Sequence, residues 1–536
     1  MKKYVIMITC VLTALTASAQ ETYENARLME TDLNGTARYV GMGGAMDALG
    51  ADISTISTNP AGIGLFRHSM VSTSFGLVSQ EDAQNFRTGS KTNASFDQIG
   101  FVWSNRTSKT SFFNFAFNFH KSQNFDYILS AASQLDGNSS QNGLSHVKAI
   151  GQTVDGVSTY LYDKRDAMGT AWWTNQLDNL YYNTFIMDED GENPGWNAAS
   201  DFLMNRANTG YIGEYDINLS GNINNRVYLG LTVGIHDVHY KGVSEYTENL
   251  INRENLPIGR VTVDDERTIT GSGVDVKAGV IFRPVESSPF RIGLSIATPT
   301  FYKLKSQSST RLLNGTSFQG PYPGYVAKSS YEFKLHTPWK FGLSLGHTID
   351  QFVALGAGIE YADYGSIDTR RITDEYYDYY YDTTTTESES DVEMNRHTSE
   401  TLKGVVQFKL GAEVKVDPNF AVRFGYNYLS PMYKESGSKD FDIDSYGTNC
   451  ASATDFTNWK ATNRLTCGIG YRYNNFNVDL AYQYSVRKGT FSPFQAAWGD
   501  YYDGDVDNPE QIDITPTTVE VSNKRHQLLL TLGYTF

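Results

Sequence analysis

Segments that alternate apolar and polar residues recur along this chain, and the connections between them switch strictly between short and long. A period of two sends successive side chains to opposite faces of a strand. The last segment shows it cleanly: His526, Leu528, Leu530, Leu532, Tyr534 and Phe536 share one face, and Gln527, Leu529, Thr531, Gly533 and Thr535 the other. Phe476 to Val486, Phe420 to Tyr428, Val406 to Val414, Val353 to Tyr361, Trp339 to Leu345, Phe290 to Ile296, Val274 to Phe282, Val227 to Ile235 and Phe113 to Phe119 repeat it, with weaker candidates at 69–79, 95–104 and 211–221. The short connections are 105–109, 222–225, 284–288, 350–351, 417–419 and 474–475. The long ones are 80–94, 121–210, 241–267, 301–329, 362–400, 431–460 and 488–523. A soluble sandwich has no reason for this asymmetry, whereas outer-membrane barrels pair short periplasmic turns with long outer loops. The expected fold is all-β: a transmembrane antiparallel β-barrel of about fourteen strands, with both ends on the short-turn side.

Composition agrees. Charged residues make up 19% and aromatic residues 13%, and mean hydropathy is −0.40, too polar for a helical membrane protein and too aromatic for a disordered one. A net charge of −16 argues against nucleic acid, which requires a clustered basic surface. After the leader no run of 18 apolar residues occurs, so no transmembrane helix is expected. Lys2 and Lys3, the apolar stretch 4–15 and Ala17-Ser18-Ala19 before Gln20 form a secretory leader over 1–19. Thr9 before Cys10 does not suit a lipoprotein site. The expected location is the outer membrane of a Gram-negative bacterium, with Phe536 as the signal to the barrel assembly machinery. Cys450 and Cys467 are either a loop disulfide or two free thiols.

The stretch before the first strand lacks the period of two. It contains Gly41-Met42-Gly43-Gly44, then Ala51-Asp52-Ile53-Ser54-Thr55, then Asn59-Pro60-Ala61-Gly62. The glycines lack the spacing and the preceding strand of a nucleotide loop. The order and place of these motifs resemble the N-terminal hatch of the FadL-type long-chain fatty-acid and aromatic-hydrocarbon transporter family. The resemblance is close only over 38–65. It implies a hatch over 20–67 folded into the lumen of a barrel over 68–536, with a ligand that leaves sideways through the wall. It also marks Asn59, Pro60, Ala61 and Gly62, with Gly41, Gly43 and Gly44, as hatch or gating residues. A barrel of this width cannot be filled by its own side chains, so it holds water or an inserted segment. Inward Glu360, Lys409, Glu413, Arg423, Arg472 and Asp479 either tie such a segment or line a wet pore. The Asn59 amide can both donate and accept, and is expected to tie its turn to the inner wall.

The 121–210 connection, the largest, carries Trp173, Leu177, Leu180 and Tyr181 at helical spacing, and Phe202, Leu203 and Arg206 suggest a second helix. By the family resemblance, Trp172, Trp173, Leu177 and Leu180 become candidate ligand-capture residues; otherwise their helix simply packs on neighbouring loops. The acidic, tyrosine-rich stretch 375–391 reads as a solvated loop. The acidic runs 188–190 and 503–507 lack the glycine and distal glutamate of a calcium loop. Histidines are scattered, His236 and His239 lie on opposite faces of one strand, and no serine sits in a nucleophile elbow. No enzyme activity, cofactor or metal is expected. The reading that results is a monomeric, porin-like barrel in outer-membrane lipid for passive uptake of hydrophobic or amphipathic small molecules. A receptor for haem or another large apolar ligand, and a secretion-accessory or structural barrel, are the alternatives.

Overall fold

The computed structural model describes residues 22–135, 139–150, 152–154, 157–159, 175–184, 197–317, 324–378, 383–439, 445, 452–501 and 510–536. The leader 1–19 and Cys450 lie outside them. Nineteen strands form one antiparallel sheet: β1 (Met70–Gln80), β2 (Thr92–Arg106), β3 (Phe112–Asn124), β4 (Tyr127–Gln134), β5 (Ala198–Ile223), β6 (Val227–Ile251), β7 (Pro257–Phe282), β8 (Arg291–Ala297), β9 (Phe301–Thr316), β10 (Gly324–His336), β11 (Lys340–Ile349), β12 (Val353–Asp363), β13 (Asp368–Asp378), β14 (Thr383–Ser390), β15 (Gly404–Lys415), β16 (Phe420–Leu429), β17 (Phe456–Tyr473), β18 (Phe476–Ser492) and β19 (Val519–Thr535). The sheet closes where β19 pairs with β1, from Met70↔Thr535 to Gln80↔Arg525. Several of these strands are consecutive pieces of one stave. Pro299 separates β8 from β9, and Pro338 separates β10 from β11, because proline has no N–H for a ladder. Counted by stave, the wall is a closed antiparallel barrel of 14 strands.

Two sheet faces meet two solvents. Towards the short-turn end the outer face is apolar and exposed: Ile217 and Leu219 on β5, Leu229, Leu231, Val233 and Ile235 on β6, and Val274 and Val276 on β7. Cys467 is a free thiol on this outer face. Farther along the same strands the pattern inverts. On β7, Val261, Val263 and Ile269 are buried inside, while Arg260, Glu266 and Thr270 are exposed. The outer face there meets water, so the apolar residues turn inward.

This inversion corrects several expected loops. The 241–267 connection is a continuation of the β6–β7 hairpin, paired to Ile251↔Pro257. Most of 301–329 is β9 and β10. Within 362–400 lie β13, β14 and a helix, Val392–Thr401. Within 375–391, residues 375–378 and 383–390 are strands that pair with each other, as β-branched threonines allow. The 121–210 connection shortens to 135–197, because β3 and β4 run on to Gln134 and β5 begins at Ala198. Phe202, Leu203 and Arg206 belong to β5 and pair with β4 and β6. Two-sided ladder pairing overrides their helix-like spacing. The acidic runs 188–190 and 503–507 fall outside the described residues.

The apolar band gives a direct expectation. Leu231→Arg should destabilise the barrel in lipid vesicles by about 2–4 kcal/mol, the cost of a cation near mid-bilayer. Thr262→Arg, beyond the band, should change it little. Denaturant unfolding of both variants measures the difference.

Candidate functional site

Residues 22–66 hold together by capping. Thr36 caps a short helix (Ala37–Gly41) by accepting the Tyr39 N–H, and its hydroxyl donates to Asp52 Oδ1 at 2.8 Å. Asp52 in turn caps a 3-10 turn (Ile53–Ile56) through the Ser54 N–H. Asn59 caps a second one (Pro60–Leu65), accepting the Ala61 N–H at 3.2 Å, with Pro60 at the position that needs no N–H. Each cap satisfies donors that a strand would have paired.

Glycines on the inward face of the wall receive this segment's backbone. A methyl on Gly230 would collide with Pro60, one on Gly279 with the Asn59 side chain, one on Gly356 with the Ala45 carbonyl, one on Gly411 with that of Met42, and one on Gly425 with Gly43. Polar ties fix the level. Asn114 Nδ2 donates to Ile63 O at 2.6 Å, Thr232 Oγ1 to Ile56 O at 2.9 Å, and Thr466 Oγ1 to Gly41 O at 3.2 Å. Arg38 binds Glu413 with two bonds of 2.9 and 3.0 Å. Arg423 bridges Glu413 and Asp479 at 2.6 Å each, and Lys409 reaches Asp47 at 3.2 Å and Glu360 at 3.7 Å. Of the inward charges expected to meet a plug, Arg472 does not: it is exposed near the 474–475 turn and donates to Asn474 O.

The motif residues divide by role. Gly41, Gly43, Asn59, Pro60 and Ala61 face the wall. Gly44, at φ +78°, makes room for Leu33 and Tyr39, and Gly62 for Thr55, so both serve turns within the segment. Asn59 meets the wall at Gly279 and Gly293, while its Nδ2 has no hydrogen-bond partner. The expected amide tie to the wall is therefore a close fit against two glycines instead. The wall glycines themselves escaped sequence reading. Their signal was present, since Gly230, Gly356, Gly411 and Gly425 occupy inward positions where polar side chains are the rule.

Two cavities lie against the segment. One of about 130 Å³ is lined by Tyr23, Arg206, Asp265, Arg267, Asp455 and Trp459 among others, and one of about 120 Å³ by Tyr39, Glu214, His236, Lys277, Glu360 and Lys409 among others. Glu30 and Asp32 border both; Arg487 holds Glu30 at 2.7 Å, and Arg525 lies 3.6 Å from Asp32.

Beside them the wall forks. The β2–β3 pairing runs from Arg106↔Phe112 only to Gln98↔His120, although β2 extends back to Thr92 and β3 on to Asn124. Above the fork β2 stays with β1 (Ser79↔Thr92), and β3 with β5 (Asn124↔Tyr211). The side chain of Gln80 closes it farther up, with both amide atoms bonded to the backbone of Ile128. Across the opening Lys121 Nζ donates to Ser95 Oγ at 3.3 Å. From inside, the N-terminal segment takes the backbone groups of β3. Asp32 N–H donates to Ser122 O at 2.9 Å, Asn124 N–H to Asp32 Oδ2 at 2.9 Å, and Asn34 Nδ2 to Lys121 O at 3.1 Å and Asp97 Oδ1 at 2.9 Å.

The long-loop end is filled from within. Helices Gln141–Ile150 and Gln176–Thr184 contribute Leu144, Leu177 and Leu180 to a core with Phe202, Tyr246, Leu250 and Phe491. Leu177 and Leu180 are thus packed, not presented to solvent. Trp172 and Trp173 lie outside the described residues. Glu248, thirteen residues past Ile235 on β6, accepts the Gln141 N–H at the start of the first helix and the Tyr246 hydroxyl. Burial pushes its carboxyl up to about 7.

No family model matches this chain, and no curated sequence does. Its structure is similar to the toluene transporter TbuX of Ralstonia pickettii, at 11% identity and a TM-score of 0.48, over 94% of this chain and 99% of that one. It is also similar to a Pseudomonas aeruginosa FadL homologue (12% identity, TM-score 0.47, 94% and 99%) and to the Pseudomonas putida toluene transporter TodX (11%, 0.46, 94% and 98%).

Two outcomes follow from these contacts. Gly356→Val should leave the barrel folded but dislodge the segment near Ala45, read as faster trypsin cleavage after Arg38 in the intact protein. Glu248 is held protonated in the folded cap, so its stabilising effect is complete below the free-carboxyl value near 4.5 and is lost as pH rises towards about 7. Corrected for intrinsic exchange, protection of the Leu144 amide should fall about tenfold or more between pH 5 and pH 8. Glu248→Gln should flatten that dependence.

Proposed function

We propose that this protein is an outer-membrane channel that its own N-terminal segment keeps shut, and that it passively admits a hydrophobic or amphipathic small molecule. The fork between β2 and β3 carries the reading. A bilayer-spanning wall pairs its backbone groups between neighbouring strands. Here β2 and β3 give up that pairing, and the segment bonds backbone groups of β3 and the Asp97 side chain of β2 from the lumen side. A row of Phe75, Phe96, Phe119 and Tyr215 runs on the outer face beside the fork, with ring centroids 4.9 to 6.0 Å apart. An apolar molecule leaving sideways there enters lipid directly.

The cavities favour an amphipathic ligand, since arginines and carboxylates share their walls with Tyr and Trp. They are well below the roughly 300–1,000 Å³ of sites for drug-sized ligands, so passage requires the segment to shift. Asn59, Pro60 and Ala61, seated on Gly230 and Gly279, act as its hinge, and Gly41, Gly43, Gly44 and Gly62 supply its turns. First contact with ligand is assigned to the outer cap, whose surface the buried Leu177 and Leu180 support from beneath.

Two measurements test this. Deletion of residues 20–65 should give a folded barrel with large ion conductance in planar bilayers, where the intact protein conducts little. A cleavable thiol cross-link between Ser95→Cys and Lys121→Cys should stop uptake of a long-chain fatty acid and of toluene, with recovery on cleavage. An intact protein that conducts like an open porin would sink the closed state; uptake indifferent to the cross-link would sink the sideways exit.

A further inference from the structure

The lumen holds a group of ionisable side chains to which transport assigns no task. His120 on β3, Glu214 and Asp216 on β5, His236 on β6, and Asp275 and Lys277 on β7 all point inward from consecutive staves, and all are at least nine-tenths buried. Gly234 makes the space in which they converge: a methyl there would meet Asp275, Lys277 and Asp216.

Lys277 occupies one side. Its ammonium touches Glu214 Oε1 and lies 3.2 Å from both Asp216 Oδ1 and Asp275 Oδ1. The other oxygens of the first two carboxylates turn towards His120: Glu214 Oε2 is 3.6 Å from its Nε2, and Asp216 Oδ2 is 3.6 Å from its Nδ1. One ligand atom from each of His120, Glu214 and Asp216 lies within 4.8 Å of the other two. Asp216 Oδ2, on a fully buried side chain, has no hydrogen-bond partner.

His236 brings an independent observation. Its Nε2 bonds Asp275 Oδ2 at 2.9 Å, and Thr300 donates to that same oxygen at 3.1 Å. A carboxylate behind one ring nitrogen is the usual support of a metal-binding histidine. The opposite atom, Nδ1, has no hydrogen-bond partner and faces Glu214 Oε2 at 3.9 Å. With the ring neutral and its proton on Nε2, two electron-rich atoms face each other, and a cation between them relieves that contact.

Charge makes the same demand. With all three carboxylates ionised and both imidazoles neutral, one ammonium leaves two negative charges in a buried site, which bound protons or a bound cation must neutralise. A divalent ion cancels them. Imidazole with carboxylate oxygens suits the zinc class of cation. Bonds of about 2.0–2.1 Å in a tetrahedron set ligand atoms about 3.4 Å apart; each carboxylate stands 3.6 Å from a different nitrogen of His120, so the ring must rotate, away from Asn118 on Nδ1, to offer one nitrogen to both. The site borders the smaller cavity, so an ion can enter from the lumen.

We propose that His120, Glu214 and Asp216, with His236 beside them, bind one divalent cation of the zinc class inside the barrel. This departs from the sequence reading, which expected no metal, and it stands apart from the channel assignment. The test uses the full chain, folded in detergent, stripped with chelator and titrated with Co²⁺. One equivalent should bind, with visible bands of a low-coordinate, nitrogen-containing site that Zn²⁺ abolishes. His120→Gln and Asp216→Asn should each weaken binding at least about tenfold while keeping the heat-modifiable gel mobility of a folded barrel, and His239→Gln, on the outer face, should bind as the wild type does. No saturable spectrum in the wild-type protein would overturn the proposal, whether or not the variants fold. So would His120→Gln and Asp216→Asn proteins that bind Co²⁺ as the wild type does.

Discussion

A bilayer offers no partner to a backbone N–H or C=O, so a wall inside it must pair its own strands and close. The β19–β1 ladder performs the closure, with eleven residues of β1 in continuous register against β19. That closure fixes the width of the ring, and the width leaves a lumen too broad for the wall's own side chains. The N-terminal segment is therefore part of the same solution. It fills the ring at one level, and at the β2–β3 fork it takes over pairing that the ladder abandons. Arg38, Glu413, Arg423 and Asp479 form the charged core of this arrangement, each cation facing carboxylates at 2.6 to 3.0 Å.

Beyond the apolar band the same strands behave like those of a soluble protein turned inside out. Tyr240, Val261, Val263 and Ile269 pack inward, and the helix Thr22–Met29 packs in one core with Tyr240 and Ile269, with Tyr23 stacked on Tyr433 at 5.2 Å. Thr22 bonds His397 and Thr398 of the helix Val392–Thr401. The segment thus spans from the short-turn mouth to the outer cap, so one piece of chain touches the floor, both cavities and the roof.

What could be read from sequence follows the solvent boundary. Where lipid wets one face, as along Leu528, Leu530 and Leu532 or Leu229, Leu231 and Val233, alternation was plain, and strand, register and turn were legible. Where the buried face is itself polar, as with Ser306, Ser308 and Thr310 on β9, or where water wets the strands, as along β13 and β14, the period of two faded from the sequence and strands passed for loops. In the segment, Asp52 and Asn59 were visible as motif residues because caps demand particular side chains. Their seats in the wall were not, since a glycine that receives another backbone looks no different in sequence from one that bends a strand. The His120–Glu214–Asp216 group was hidden for a further reason: its members are scattered over β3 and β5 and meet only through the His120↔Glu214 and Asn118↔Asp216 register.

The glycine seats also bear on how the segment can move. Interdigitated side chains lock two surfaces, because sliding forces each knob out of its hole. At Gly230, Gly356, Gly411 and Gly425 the wall offers no knobs, only smooth backbone against smooth backbone. Such seats let the segment's backbone lie flush on the wall without locking it there, so what holds it in place is the small set of directed bonds from Arg38, Asp47, Asn114, Thr232 and Thr466.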